Sequence, residues 1–364
     1  MKYTGIDLFS GCGGLSLGAS WAGIHIATAV ENDHDASETF IRNHPETQVF
    51  TQSIETLSPN KIKKSVFGNK RPFILLGGPP CQGYSTSNRQ SRNMGNKNNS
   101  MYLHYIKFVK VLNPQWILFE NVEGLKNFEK GKVLAKIIEN FRDLGYRVEM
   151  NVLNSADYGV PQKRKRLFIV GWKNKKIEFV FPQKIIEGDY ITVEDALSDL
   201  PDLENGDVFP ALKYKRYSGL SEYQKKMRNG NAETYNHFVS RNFDYVIERY
   251  KYIKQGGNWD SIPDHLFANY KDKSRCHSSI YHRLRADQPS VVIGNFRKNM
   301  LIHPYKDRGL SVREAARLQS FPDDFVFFGF LNSQQQQVGN AVPPFLAEAI
   351  FKEIVRCENG DTNA

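Results

Sequence analysis

The sequence lacks the features that mark several classes of protein. Its four cysteines, Cys12, Cys81, Cys276 and Cys357, form no C-x-x-C pair, which argues against a disulfide framework or a zinc cluster and favours a reducing cytosol. The first residues do not follow the pattern of a secretory signal, and the longest apolar runs, such as 73–76, cannot span a membrane. No repeat occurs at the periods of solenoids or propellers. We therefore expect a globular cytoplasmic protein with no membrane partner and no metal site.

Length and charge indicate two domains and a polyanionic partner. The 364 residues exceed the roughly 250–300 residues at which a single hydrophobic core usually stops growing. Lys and Arg number 49 against 39 Asp and Glu, which gives a net charge of +10. Such an excess makes nucleic acid the first candidate partner.

The first half of the chain has the pattern of an α/β domain. Short β-branched and aromatic runs predict strands near 3–9, 26–31, 73–77, 115–119, 147–154 and 166–171. Between them, apolar residues at helical spacing predict helices at 15–22, 35–43, 102–112 and 130–144. This alternation is typical of βα units and a parallel sheet.

The pattern changes after Trp172, where an acidic, proline-punctuated connector begins. From Lys213 to Arg283 there are fourteen Lys and Arg against seven Asp and Glu, and aromatic residues interleave with the cations in 241–254. Such a surface suits phosphates and bases, although the solvated face of a helical domain would look the same. Helices beginning at Ser311 and spanning 343–355 then predict that the C-terminal segment completes the first domain.

A glycine-rich turn and a carboxylate suggest a nucleoside site. Gly11, Gly13 and Gly14 follow the first strand, where glycines let main-chain amides approach a ligand at a helix N-terminus. Glu31 ends the next strand, at the place where Rossmann-like folds bind ribose hydroxyls. Turns and carboxylates of this kind also occur without a nucleoside. The G-x-G-G spacing departs from the dinucleotide pattern and disfavours an NAD oxidoreductase.

Cys81 is a candidate nucleophile because an apolar strand runs into Gly77–Pro80 directly before it. The carboxyl ends of strands are where open α/β sheets bind ligands, although a cysteine is more often a small buried hydrophobe. The polar segment 85–100 that follows predicts either a loop that closes on an anionic substrate or simple disorder.

Two further strands carry charged candidates. Glu120 ends one of them, in ENV, where it could donate a proton to a ring nitrogen or lie in solvent. In QKRKR, alternation places Arg164 and Arg166 on one face of an extended segment. Their guanidinium groups could hold a carbonyl oxygen or a phosphate, or form a basic surface strip.

With DLFSGCGG, GGPPCQGYS, ENV, QKRKR and QVGNAVPP in this order, the chain resembles the cytosine-5 DNA methyltransferases of bacterial restriction-modification systems. The resemblance implies a Rossmann-like domain that depends on S-adenosylmethionine and a smaller target-recognition domain. We expect the first to comprise residues 1–180, completed by 305–364, and the second, with a hinge, to comprise 181–304.

The resemblance also implies roles for individual residues. The catalytic residues would be Cys81, Glu120, Arg164 and Arg166. The residues that bind the cofactor would be Phe9, Gly11, Gly13, Gly14, Glu31, Asn32, Ile54, Asn340 and Val342. The chain departs from the family at Ser53, where an acidic residue is usual before Ile54.

The implied activity is methyl transfer to carbon 5 of a flipped cytosine in double-stranded DNA. We expect a nucleoid-associated monomer that protects the site of a cognate restriction endonuclease. A tRNA cytosine-5 methyltransferase is the alternative substrate class, and the length of the 181–304 region favours DNA. A non-catalytic nucleic-acid-binding relative is the other alternative, although Cys81 and Glu120 are both present.

Overall fold

The structure is a computed structural model that describes residues 2–80, 100–216, 219–267, 280–298 and 300–360. The chain divides into two compact units. Unit 1 comprises residues 1–158, 165–184 and 344–364, and unit 2 comprises residues 159–164 and 185–343.

Unit 1 is built on one large sheet. Its strands are β1 (Tyr3–Leu8), β2 (Ile24–Val30), β3 (Gln48–Phe50), β4 (Ile74–Gly77), β5 (Trp116–Val122), β6 (Arg147–Asn154) and β7 (Lys165–Trp172). They follow the order β3-β2-β1-β4-β5-β7-β6. The prediction of a parallel sheet is correct for β1–β5 and wrong for β7, which lies antiparallel to β5 and β6. Residues 155–164 join β6 to β7 without an α-helix, and a parallel pair would need a longer crossover.

The helices predicted at 15–22, 35–43, 102–112 and 130–144 are present, and a further short helix at 59–62 was not predicted. Both units contain helices. In unit 1 they are α1 (Gly14–Trp21), α2 (His34–Asn43), α3 (Pro59–Ile62), α4 (Met101–Leu112) and α5 (Lys132–Asp143). In unit 2 they are α6 (Val193–Leu197), α7 (Glu222–Arg228), α8 (Asp244–Lys251), α9 (Val312–Leu318) and α10 (Leu331–Asn340), and α11 (Pro344–Asn359) returns to unit 1. Across the described ranges, no helix combines the length and apolar character that crossing a bilayer requires.

The main core of unit 1 is apolar. Side chains from β1, β4 and β5, including Ile6, Leu75 and Ile117, pack in one buried cluster with α4 and α5. On α1, a methyl group at Gly18 would lie 2.5 Å from Ala347 Cβ and 2.7 Å from the main-chain oxygen of Pro344. Only glycine permits this approach, so α11 packs tightly against α1 within unit 1.

Unit 2 contains a two-stranded antiparallel sheet of β8 (Val208–Lys213) and β9 (Glu233–Phe238). The sequence places all of 305–364 in the first domain, whereas the compact units leave 305–343 in unit 2. The physical reason is α9, which Ser311 caps as predicted. Arg313 on α9 donates to the Tyr235 oxygen of β9 at 2.8 Å, and Arg317 donates to the Ala196 oxygen of α6 at 2.8 Å.

Candidate active site

The register of the sheet brings the candidate residues of unit 1 to one edge. Leu8 of β1 pairs with Val30 of β2 and with Gly77 of β4, and Gly77 pairs with Phe119 of β5. The residues that follow Leu8, Val30, Gly77 and Phe119 are, in the same order, Phe9, Glu31, Gly78 and Glu120. Because the strands are parallel, Glu31, proposed to bind a nucleoside, and Glu120, proposed as an acid, lie at the same carboxyl edge of the sheet. This edge is where open α/β sheets bind ligands.

The glycine turn after β1 is tied to Glu31. The Gly11 main-chain nitrogen donates to Glu31 Oε2 at 2.8 Å, and the Asp33 nitrogen donates to Glu31 Oε1 at 2.8 Å. Gly11 and Gly13 have φ angles of 54° and 100°, a region that favours glycine. Main-chain amides thus hold both oxygens of the Glu31 carboxylate in place, and carboxylate oxygens can also accept from ribose hydroxyls.

Burial changes the proton affinity of two carboxyl groups near this turn. It raises the pKa of Glu31 above its usual value. Asp7 on β1 is fully buried, and burial raises its pKa to about 8 although the Ser16 hydroxyl donates to its Oδ2 at 2.6 Å. Among the described residues, Asp7 Oδ1 has no hydrogen-bond partner. Asp7 is therefore largely protonated at neutral pH.

Glu120 and Arg166 form an ion pair at the end of β5. Arg166 Nε lies 3.1 Å from Glu120 Oε1, and both side chains are largely buried. The pairing of Val122 with Arg166 in the antiparallel β5–β7 ladder brings the two residues together. A methyl group at Gly78 would lie 2.5 Å from Glu120 Oε2, so a larger residue where the chain leaves β4 would displace the carboxyl group of the acid.

Asn121 is a residue of the candidate site that the sequence analysis did not predict. It is buried, and its side-chain amide donates to the Pro79 carbonyl at 3.1 Å. This bond fixes the main chain two residues before Cys81. Cys81 and the 85–99 part of the polar loop lie outside the described residues. The signal was the position of Asn121 in ENV, directly after the acid at the end of a strand.

The other proposed cofactor residues of unit 1 differ in exposure. Phe9 packs against the apolar cluster that contains Ile54, Gly14 is buried at the start of α1, and Asn32 is exposed. Ser53, the residue that departs from the family pattern, donates its hydroxyl to Glu55 Oε2 at 3.3 Å.

Three of the proposed site residues lie in unit 2. Arg164 is fully buried and donates to the carbonyl oxygens of Ile293 at 2.6 Å and Gly339 at 2.8 Å. Asn340 is the exposed last residue of α10, and Val342 is buried. Alternation along 162–167 is confirmed by burial, but the Arg164 guanidinium binds main-chain oxygens of its own unit. The catalytic role of Arg164 stays a prediction, since these bonds show only that its guanidinium helps to order unit 2.

The comparisons with known proteins agree with this geometry. A family model described as C-5 cytosine-specific DNA methylase matches residues 3–356. The chain belongs to this family. The matched span includes the glycine turn, Glu31, Glu120 and Arg166 of unit 1, and this methylase family as a whole uses S-adenosylmethionine.

Named members of the methylase family align with nearly the whole chain. The Type II methyltransferase M.DdeI of Desulfomicrobium norvegicum is 36% identical over 96% of this chain and 88% of its own length. M1.HphI of Haemophilus parahaemolyticus is 36% identical over 99% of this chain and 89% of its own. A prophage-encoded protein from E. coli, described as a DNA modification methyltransferase, superposes with a TM-score of 0.81 at 28% identity, covering 98% of this chain and 100% of that one.

Proposed function

We propose that the chain transfers a methyl group from S-adenosylmethionine to carbon 5 of cytosine within a short sequence of double-stranded DNA. The observation that carries the proposal is the Glu120–Arg166 pair, 3.1 Å apart, beside the Gly78–Pro80 segment that leads to Cys81. An acid, a guanidinium and a thiol are the three groups that activation of a cytosine ring requires.

The residues around the glycine turn fit the cofactor. A methyl group built at Gly11 would meet no atom within 4 Å, so the main chain there is open to a ligand. The Glu31 carboxylate is held by two main-chain amides and suits the ribose hydroxyls, while Phe9, Asn32 and Ile54 would surround the adenine. We assign Gly13, Gly14, Asn340 and Val342 to the same cofactor. When bound, the cofactor supplies an electrophilic methyl group.

The residues at the end of β5 would make cytosine reactive. Carbon 5 is a poor nucleophile until the Cys81 thiolate adds to carbon 6, which forms an S–C6 bond and turns carbon 5 into the nucleophilic end of an enamine. Glu120, after taking a proton from solvent, would donate it to ring nitrogen 3, and Arg166 would hold the carbonyl oxygen on which electron density accumulates. After methylation, a water molecule takes the carbon-5 proton and the S–C6 bond breaks to release the Cys81 thiolate. Ring nitrogen 3 returns its proton to Glu120, and the ring is aromatic again.

Because carbon 5 and carbon 6 are stacked inside a duplex, the target base must be flipped out before Cys81 can reach it. We assign recognition of the surrounding sequence to residues 181–304, most of which lie in unit 2. Two exposed rings there, Phe243 and Tyr245, stack 5.7 Å apart at the start of α8. Aromatic faces and neighbouring cations are the groups that contact bases and phosphates.

We also propose that the chain is the modification partner of a restriction endonuclease that cuts the same sequence, because two relatives that match it over most of their own length are Type II methyltransferases. In this proposal it acts as a monomer on DNA in the bacterial nucleoid. Expression of the chain should then protect host DNA from one specific endonuclease.

The deciding experiment supplies methyl-labelled S-adenosylmethionine with unmethylated genomic DNA, with tRNA in parallel, and maps 5-methylcytosine at single-base resolution. We expect label at one short DNA motif, and Cys81→Ser should abolish transfer while cofactor binding remains. Label in tRNA alone would favour the other substrate class. Absence of label from both would indicate a binding protein without activity.

A further inference from the structure

A buried histidine lies beneath the glycine turn and has no role in the proposed chemistry. His44 follows α2 as its C-cap residue, and its main-chain nitrogen donates to the Phe40 oxygen at 2.9 Å. Its imidazole is 9% exposed and packs on the Phe40 ring with the centroids 4.5 Å apart. The side chain is therefore fixed by its own helix.

The imidazole is in close contact with Gly13. A Cβ atom built on Gly13 would lie 2.6 Å from His44 Nε2, 2.9 Å from His44 Cδ2 and 3.0 Å from Phe40 Cδ2. Gly13 also has a φ of 100°. The main chain of the turn thus lies directly on the two rings, and glycine is needed there for both space and backbone conformation.

The same helix holds the turn at a second point. Asp33, the N-cap residue of α2, donates its main-chain nitrogen to Glu31 Oε1, and Glu31 Oε2 accepts from Gly11. Gly13 is in turn the N-cap residue of α1, and its nitrogen donates to the Ser10 oxygen at 3.0 Å. The N-terminus of α2 therefore fixes the start of the turn through Glu31, and its C-terminus supports the end of the turn through His44.

We propose that His44 is a positioning residue for cofactor binding, which supports Gly13 so that the Gly11–Gly14 turn is formed before the cofactor arrives. This inference rests on the proposed use of S-adenosylmethionine at the turn. Burial lowers the pKa of His44 to about 4, so the ring is a flat, uncharged support at neutral pH. Support of this kind from behind a binding loop maintains geometry that the ligand would otherwise have to impose.

The test measures binding of S-adenosylmethionine and S-adenosylhomocysteine to the full chain by calorimetry, together with steady-state methylation of DNA. His44→Ala should raise both dissociation constants about 10-fold to 100-fold, the loss expected when a binding loop moves by about 1 Å. It should raise KM for the cofactor while kcat at saturation changes less than about twofold. His44→Phe keeps a flat, uncharged ring and should restore most of the affinity.

Two controls separate positioning from loss of stability. Ile137→Ala removes a buried side chain from α5 of unit 1. It should lower the unfolding midpoint without weakening cofactor binding. His34→Ala changes the exposed start of α2 and should change neither the unfolding midpoint nor the affinity for the cofactor. The proposal is overturned if His44→Ala binds like the native chain or if Ile137→Ala loses as much affinity.

A double-variant cycle tests the contact itself. Gly13→Ala should strongly raise the dissociation constant for the cofactor in the native background. In the His44→Ala background, where space is available, the increase should be smaller, and what remains is due to the strain of a positive φ. Equal factors in both backgrounds would contradict the contact. If the native chain binds cofactor but labels no DNA, the proposed function fails while the binding data still decide the role of His44. If it binds no cofactor, both proposals fail.

Discussion

The two units differ in where their charged side chains lie. In unit 1 the main core cluster is apolar, and Glu31, Glu120 and Arg166 lie at the carboxyl edge of the sheet. In unit 2, Arg317 and Asp323 are fully buried in the interior. Arg317 bonds Asp199 at 2.9 Å and Asp323 at 2.6 Å, and the Tyr214 hydroxyl donates to Asp323 at 2.5 Å.

This difference separates two uses of the same residue types. A charged group at a sheet edge can contact a substrate, because its remaining donors or acceptors face the site. A charged group in the interior must form its hydrogen bonds and ion pairs with other residues of the protein, since an unpaired buried charge costs several kcal/mol. We therefore expect charge removal to abolish activity in unit 1 and stability in unit 2.

The first test removes the carboxylate at the edge of unit 1. Glu120→Gln should lower the rate of methyl transfer by about 10²-fold to 10⁴-fold, the usual contribution of a positioned acid, and should lower stability much less. The matched control is Glu123→Gln, because Glu123 directly follows β5, is half-exposed, and its Oε1 lies 3.9 Å from Lys165 Nζ of β7. Single-turnover rates and urea unfolding measure the two effects. Equal losses of rate in both variants would contradict the assignment.

The second test removes a charge from the interior of unit 2. Arg317→Met should lower the free energy of unfolding by about 3–5 kcal/mol, because Asp199 and Asp323 each lose one ion-pair partner while still buried. Arg285→Met is the control, since Arg285 pairs with Asp287 in solvent and its loss should leave the urea midpoint unchanged. A stable Arg317→Met chain would show that the interior network is dispensable.

The contrast also explains what could be predicted from sequence. The ends of β1, β2, β4 and β5 were predictable, and because parallel strands end at one edge, so was the proximity of Glu31 and Glu120. Burial of cations was not predictable. Arg249 and Arg283 belong to the basic region that suggested a DNA surface, yet both are buried and bond main-chain carbonyls. The partners of a buried arginine are remote in sequence, as Arg317 and Asp199 are, 118 residues apart.

Asp7 is an exception in unit 1, because this acidic residue lies buried in the interior and not at the edge of the sheet. Its folded pKa of about 8 lies above the ordinary 3.8, so the folded state holds a proton that the unfolded state releases. Its contribution to stability is full below pH 3.8 and is lost as the pH rises through 8.

Asp7→Asn tests this exception because asparagine is neutral at every pH and can still accept from Ser16. Urea unfolding between pH 5 and 9 should show the native chain losing stability as the pH rises and the variant losing less. The variant should be the more stable of the two at pH 9. Parallel curves would show that Asp7 is ionised in the folded chain.

Glu314 in unit 2 should respond to acid in the opposite direction. The Arg308 guanidinium, bonded to both carboxylate oxygens at 2.8 and 2.7 Å, outweighs burial and holds the pKa of Glu314 at about 2. A lowered pKa stabilises the fold above pH 4.5, and that contribution is lost as the pH falls from 4.5 to 2. Glu314→Gln should therefore be less stable than the native chain at pH 7 and should approach it at pH 2, measured by urea unfolding at each pH. The shift is smaller than that of Asp7, so this is the smallest of the four effects. Opposite slopes for these two carboxyl groups would show that burial dominates for Asp7, which no cation contacts in the described residues, and that the Arg308 ion pair dominates for Glu314.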